Sequence, residues 1–161
     1  MKKAVVLLAL LALVGCDEDD VKDILNGQTK VFAVSGVQVE NSSTGLPNGY
    51  YKLSDLNDGT KASLPDSLPD GIKADLTNAG ITVHAQSCGQ IVVSDEGLCF
   101  ESGNKACVPD EIKKVGLDVY KIDLDDIKTA KNLDFYPTLA AELGGLFVQI
   151  DYDDVNCATL K

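Results

Sequence analysis

Apolar and polar positions divide this chain into three kinds of stretch. Residues 4–14 are eleven apolar side chains without a break, AVVLLALLALV. That run has no polar face for a helix to turn to water, and it is well short of the ~20 residues that span a bilayer. A second kind of stretch alternates. Residues 30–40, KVFAVSGVQVE, are rich in β-branched side chains and predict a strand with Gly36 as a bulge. Turn chemistry at 41–49, NSSTGLPNG, leads to a returning strand at 50–53, so a hairpin is expected. Residues 81–86 and 117–124 alternate as well, and 146–151 predict a last strand. Residues 90–94 and 98–102 predict two strands joined by Asp95-Glu96-Gly97, a loop that suits a type I turn with Gly closing a bulge.

The third kind of stretch has helical spacing. Leu68, Ile72, Leu76 and Ala79 form one apolar stripe, and Gly80 sits where a C-terminal Gly belongs. Two successive SLPD tetrapeptides, 63–66 and 67–70, each have the Ser-x-x-acid form of a helix N-terminus, within a loop expected over 54–69. Residues 109–116, PDEIKKVG, open with Pro and acids and close with Lys and Gly, which predicts a short helix that complements its own dipole. Residues 125–132 and 137–143 predict two more, the second broken by Gly144-Gly145. Short strands with interspersed helices point to an α+β fold, its sheet largely antiparallel. Neither GxGxxG nor a P-loop occurs, so no phosphate-cradling βαβ unit is expected.

The unbroken run acquires a meaning from its flanks. Lys2 and Lys3 precede it, as in the n-region and h-region of a secretory signal peptide, and it ends in Leu13-Val14-Gly15-Cys16. This order resembles the signal peptide and lipobox of bacterial lipoproteins. The resemblance covers the export segment alone. It implies cleavage before Cys16, a diacylglyceryl group on the Cys16 sulfur and an acylated new N-terminus. The partner would then be a lipid bilayer, held stably because two or more acyl chains anchor where one is marginal. The chain divides accordingly into a signal peptide at 1–15, a lipidated Cys with an acidic tether at 16–29, and a single extracytoplasmic α+β domain at 30–161. The competing readings are an ordinary signal peptide with Cys16 in a disulfide, and a cytosolic apolar helix. Against the latter, five of the seven residues at 17–23, DEDDVKD, are acidic. Such a run predicts a solvated tether that anionic lipid repels. Acidic residues behind the modified Cys accompany inner-membrane retention in enteric lipoproteins and surface export in other lineages. The leaflet therefore stays open between the periplasmic face of the inner membrane, the outer membrane and the cell surface.

Outside the cytoplasm, Cys88, Cys99, Cys107 and Cys157 read as two disulfides with three connectivities. The hairpin expected at 90–102 places position 88 opposite 104. Cys88 would then meet Cys107, and Cys99 would meet Cys157. A zinc site fails on spacing, and no CxxC occurs.

Charge and candidate chemistry narrow the function. Over 161 residues, 14 Lys and no Arg face 25 Asp plus Glu, for a net charge of −11. Nucleic acid is excluded on that balance, and a basic envelope protein is the partner it favours, through steering. His84 is the sole His, on the polar face of a predicted strand, with neither a G-x-S-x-G elbow nor SxxK in the chain. A paired-carboxylate glycosidase lacks a Trp platform for sugar. Asp123, Asp125 and Asp126 follow one predicted strand, and Asp151, Asp153 and Asp154 follow another. Were those strands parallel neighbours, the six carboxylates would crowd one sheet edge and favour Ca²⁺. The plainer account is solvated charge that keeps an acidic domain soluble. The five Tyr, among them Tyr50-Tyr51, are scattered. No catalytic residue is assigned. The first reading is thus a membrane-anchored envelope lipoprotein with a non-enzymatic binding or assembly role and no cofactor. The second is an envelope protein that binds Ca²⁺ or a small ligand. An extracytoplasmic hydrolase comes third.

Overall fold

The computed structural model describes residues 18–42, 45–56, 64, 68–94, 97–102, 104–142 and 146–160. Its frame is two 12-residue strands, β1 (Gln28–Val39) and β6 (Ile112–Asp123), paired antiparallel along nearly their whole length. Strand β2 (Gly49–Lys52) returns along the far end of β1, forming the expected opening hairpin. Strand β3 (Ala85–Val92) pairs with the other edge of β6, and β10 (Asp153–Val155) closes that side. The order is β10-β3-β6-β1-β2, with β7 (Tyr136–Pro137) lying against β1 beside β2. Two separate hairpins complete the strands: β4 (Cys99–Ser102) with β5 (Asn104–Cys107), and β8 (Leu139–Glu142) with β9 (Leu146–Gln149). Every pairing among the described residues is antiparallel, and the fold is α+β.

Both faces of the central pair are covered, which is why β1 and β6 read as dense apolar runs rather than strict alternation. On one face Phe32, Val34, Val37 and Val39 pack with Val115, Leu117 and Val119. Phe32, Phe100 and Tyr136 meet there as an aromatic trio with centroids 5.6–6.2 Å apart. On the other face Val31, Ala33, Tyr120 and Ile122 pack under Leu76, Ile81, Ala130 and Phe135. The register shifts between Val34 and Gly36, where the bulge was expected. Without it, the apolar positions beyond Gly36 would change faces.

Among the described residues three short α-helices flank the sheet: α1 (Glu18–Leu25), α2 (Lys73–Asn78) and α3 (Ile127–Lys131). In α2 the Asp75 carboxylate accepts from the Ile72 backbone N–H at 3.1 Å. Its far end is a Schellman motif: Gly80, at φ +82°, donates to the Thr77 carbonyl, and Ile81 donates to that of Leu76. The expected stripe is thus helical over its second half. Leu68 is buried in the opposite core cluster, and Ile72 is exposed ahead of the first turn. Ser67, with the rest of the first SLPD copy except Leu64, lies outside the described residues.

Several expectations are corrected. The helix at 109–116 is instead a turn at 109–111 followed by the start of β6, because Ile112, Val115 and Leu117 fill the core between β1 and β3. The helix at 137–143 is β7 and β8. Residues 81–84 are not yet strand: Ile81 is occupied with capping α2, and pairing begins when His84 donates to the Lys121 carbonyl. The 90–102 hairpin does not form. Gly97 does turn the chain at φ +81°, donating to the Ser94 carbonyl, but β10 takes the outer edge of β3 at Cys88–Gln90 and β4 finds its partner in β5. The stretch expected as a solvated tether contains α1, and its Asp23 is buried against Lys121 at 2.7 Å.

Candidate functional site

Where the second core face runs out, the sheet floors a cavity of about 440 Å³. Tyr120 and Ile122 fill this face with Phe135 and Leu76. Two residues up β6 from Tyr120, on the same face by strand alternation, the side chain is Asp118, half-buried and lining the cavity. Ser35 lies nearby on β1, and β2 contributes Tyr50 and Lys52 to the wall. Gly36 and Gly116 are paired across β1 and β6. A Cβ on either would collide with the Tyr50 phenol, so this glycine pair lets the ring lie close to the sheet. Its Oη is 3.4 Å from Ser35 Oγ. The opposite wall comes from Cys157 and Leu160, fastened to the floor by the Cys88–Cys157 disulfide. Asp118 Oδ1 lies 3.6 Å from Cys88 Sγ.

The electrostatics follow from this placement. Burial raises the Asp118 carboxyl above its ordinary value, while the Lys52 ammonium pulls it back. Burial also raises Tyr50, opposed by the Ser35 hydrogen bond and reinforced by Asp118. Tyr120 is pushed up to about 12 by burial, with the Asp118 charge adding to it. The cavity thus offers two carboxylates, Asp118 and the exposed Asp70, with an ammonium, a phenol and hydroxyls within one concave surface. That chemistry suits recognition of a small polar molecule.

No family model, no curated protein and no solved structure matches this chain.

The residues singled out in the sequence lie elsewhere, apart from the cysteines. All four pair, but as Cys88–Cys157 and Cys99–Cys107 rather than 88–107 and 99–157. Cys99 sits directly opposite Cys107 in the β4–β5 hairpin, so the correction follows from the corrected strand pairing. His84 Nε2 is 2.7 Å from Asp123 Oδ1, half-exposed at the opposite end of β6 from Gly116. The two acid clusters do not meet. Asp153 pairs with Gln90, which pairs with Gly116, seven residues along β6 from Asp123 and roughly 23 Å at strand rise. The strands are also not parallel neighbours: β9 pairs with β8, and β3 stands between β10 and β6. Asp125 and Asp151 are exposed. Among the described residues, no three His, Cys, Asp or Glu gather as a metal site. Cys16 lies outside the described residues, and no described helix is long and apolar enough to cross a membrane.

Sequence reasoning missed Ser35, Tyr50, Lys52 and Asp118. One signal was present: Asp118 interrupts the apolar face of β6 between Gly116 and Tyr120. A carboxylate at such a position is expensive unless something meets it.

Proposed function

We propose that this protein is a lipid-anchored bacterial envelope lipoprotein whose folded domain has a binding role. The observation that carries the reading is the order Lys2-Lys3, the apolar run 4–14 and Leu13-Val14-Gly15-Cys16. Acyl chains on Cys16 would hold the domain at a membrane outside the cytoplasm. The two disulfides support that compartment, since paired cysteines persist where the surroundings are oxidising. The cavity supports binding: its polar groups converge, while His84, the chain's one imidazole, is held by Asp123 away from its lining.

Replacing Cys16 tests the anchor. Cys16→Ser should yield uncut precursor without acyl mass by intact-protein mass spectrometry of the membrane fraction. A Cys16→Ser chain cut at the usual site would remove the lipoprotein reading.

A further inference from the structure

Three charged side chains line the cavity: an exposed Asp70 at its rim, and Lys52 and Asp118, which do not close on each other. Lys52 stands on β2 and Asp118 on β6, with β1 between them. Among the described residues, neither makes an ion pair within 4.0 Å. A free surface pair would find each other or water at little cost. Here the carboxylate is half-buried and the space between is a formed cavity, which leaves room for a third body that satisfies both.

We propose that the cavity binds a small zwitterion of amino-acid or dipeptide size, its ammonium on Asp118 and its carboxylate on Lys52. Tyr50 Oη and Ser35 Oγ stand beside the floor and can accept from or donate to the same polar end. Ile72 and Leu160 supply apolar lining for a side chain. A simple anion is disfavoured, because Asp118 would repel it at the floor. A divalent cation is disfavoured as well, because Asp118 and the exposed Asp70 bring two carboxylates and, among the described residues, no third His, Cys, Asp or Glu joins them as a metal ligand. The raised carboxyl of Asp118 fits this account: an ammonium arriving beside it would restore the ionised form that burial penalises.

This inference deepens the binding role proposed above and does not depend on the anchor. The test uses the full lipidated chain, isotope-labelled, in detergent. L-leucine and L-alanyl-L-leucine are titrated while the backbone amides of Ser35, Tyr50 and Asp118 are followed by NMR. Isoamylamine and 4-methylpentanoate serve as single-charge controls. At least one zwitterion should shift these amides saturably, and each control should bind about tenfold more weakly or worse, since a charged hydrogen bond is lost. Asp118→Asn and Lys52→Met should each weaken the zwitterion by about tenfold, and Lys52→Arg should retain it in part. Should a variant fail to fold, the ligand series on the unaltered protein decides. No saturable shift with either zwitterion would overturn the proposal, as would a single-charge control that binds equally well. A protein that is acylated yet indifferent to every probe loses the ligand and keeps the lipoprotein reading.

Discussion

Asp118 shows how one side chain can be placed at a cost. Its neighbours on the same face of β6, Tyr120 and Ile122, are buried core. A leucine in its place would extend that core, whereas the carboxylate floors a cavity instead. The sign of its pH dependence follows from the raised carboxyl. A carboxyl with a higher pKa in the folded state contributes most below its unfolded value of about 4, and that contribution is lost as pH rises through the folded value. Asp118→Asn has no such loss. The variant should therefore gain stability relative to the native protein as pH is raised from 4 to 7, read as a widening gap in urea midpoint. A gap that narrows over this range would show that Lys52 outweighs burial.

At the scale of elements, local chemistry was legible wherever it acted locally. The Gly36 bulge, the Gly80 cap, the Gly97 turn and the opening hairpin all answer to steric rules that a short window contains. Partner choice was not legible. Residues 109–116 carry helix-like ends, but Ile112 and Val115 are claimed by the core between β1 and β3. The Asp95-Glu96-Gly97 loop could not reveal that β4 would pair with β5 and β3 with β10. The cavity was hidden for the same reason, since Lys52 and Asp118 are brought near each other only by strand order. Helix α1 is the sharpest case. Five acids in seven residues suggest a segment that stays in water, yet Asp23 is only 6% exposed, with Oδ1 on Lys121 and Oδ2 without a hydrogen bond among the described residues. Asp23→Ala should cost about 1–3 kcal/mol in urea unfolding, the scale of a buried charged group losing its partner. It should also make residues 18–27 sensitive to limited proteolysis. Unchanged proteolysis would mean that α1 is held by other contacts.

For the whole molecule, the two disulfides differ in what they hold. Cys99–Cys107 closes eight residues within one hairpin, while Cys88–Cys157 closes 69 and joins β3 to the 3₁₀ turn Cys157–Thr159. In the chain-entropy account the long closure is worth about 4 kcal/mol and the short one about 2.5 kcal/mol. Non-reducing peptide mapping should find these two pairings and no 88–107 link. Replacing Cys157 should then lower the thermal midpoint more than replacing Cys107. Equal losses would show that the unfolded chain is already constrained around Cys88.

The Cys88–Cys157 bond also decides when the cavity comes into being. One wall arrives 69 residues after Cys88, behind the whole of β6, and it is pinned only once two thiols have been oxidised. During synthesis, and in any reducing compartment, the floor exists without its fastened wall. The cavity is thus completed by oxidation, and on the proposed export reading a zwitterion abundant in the cytoplasm would meet an open groove there. On that reading, ligand capture would begin only in an oxidising compartment.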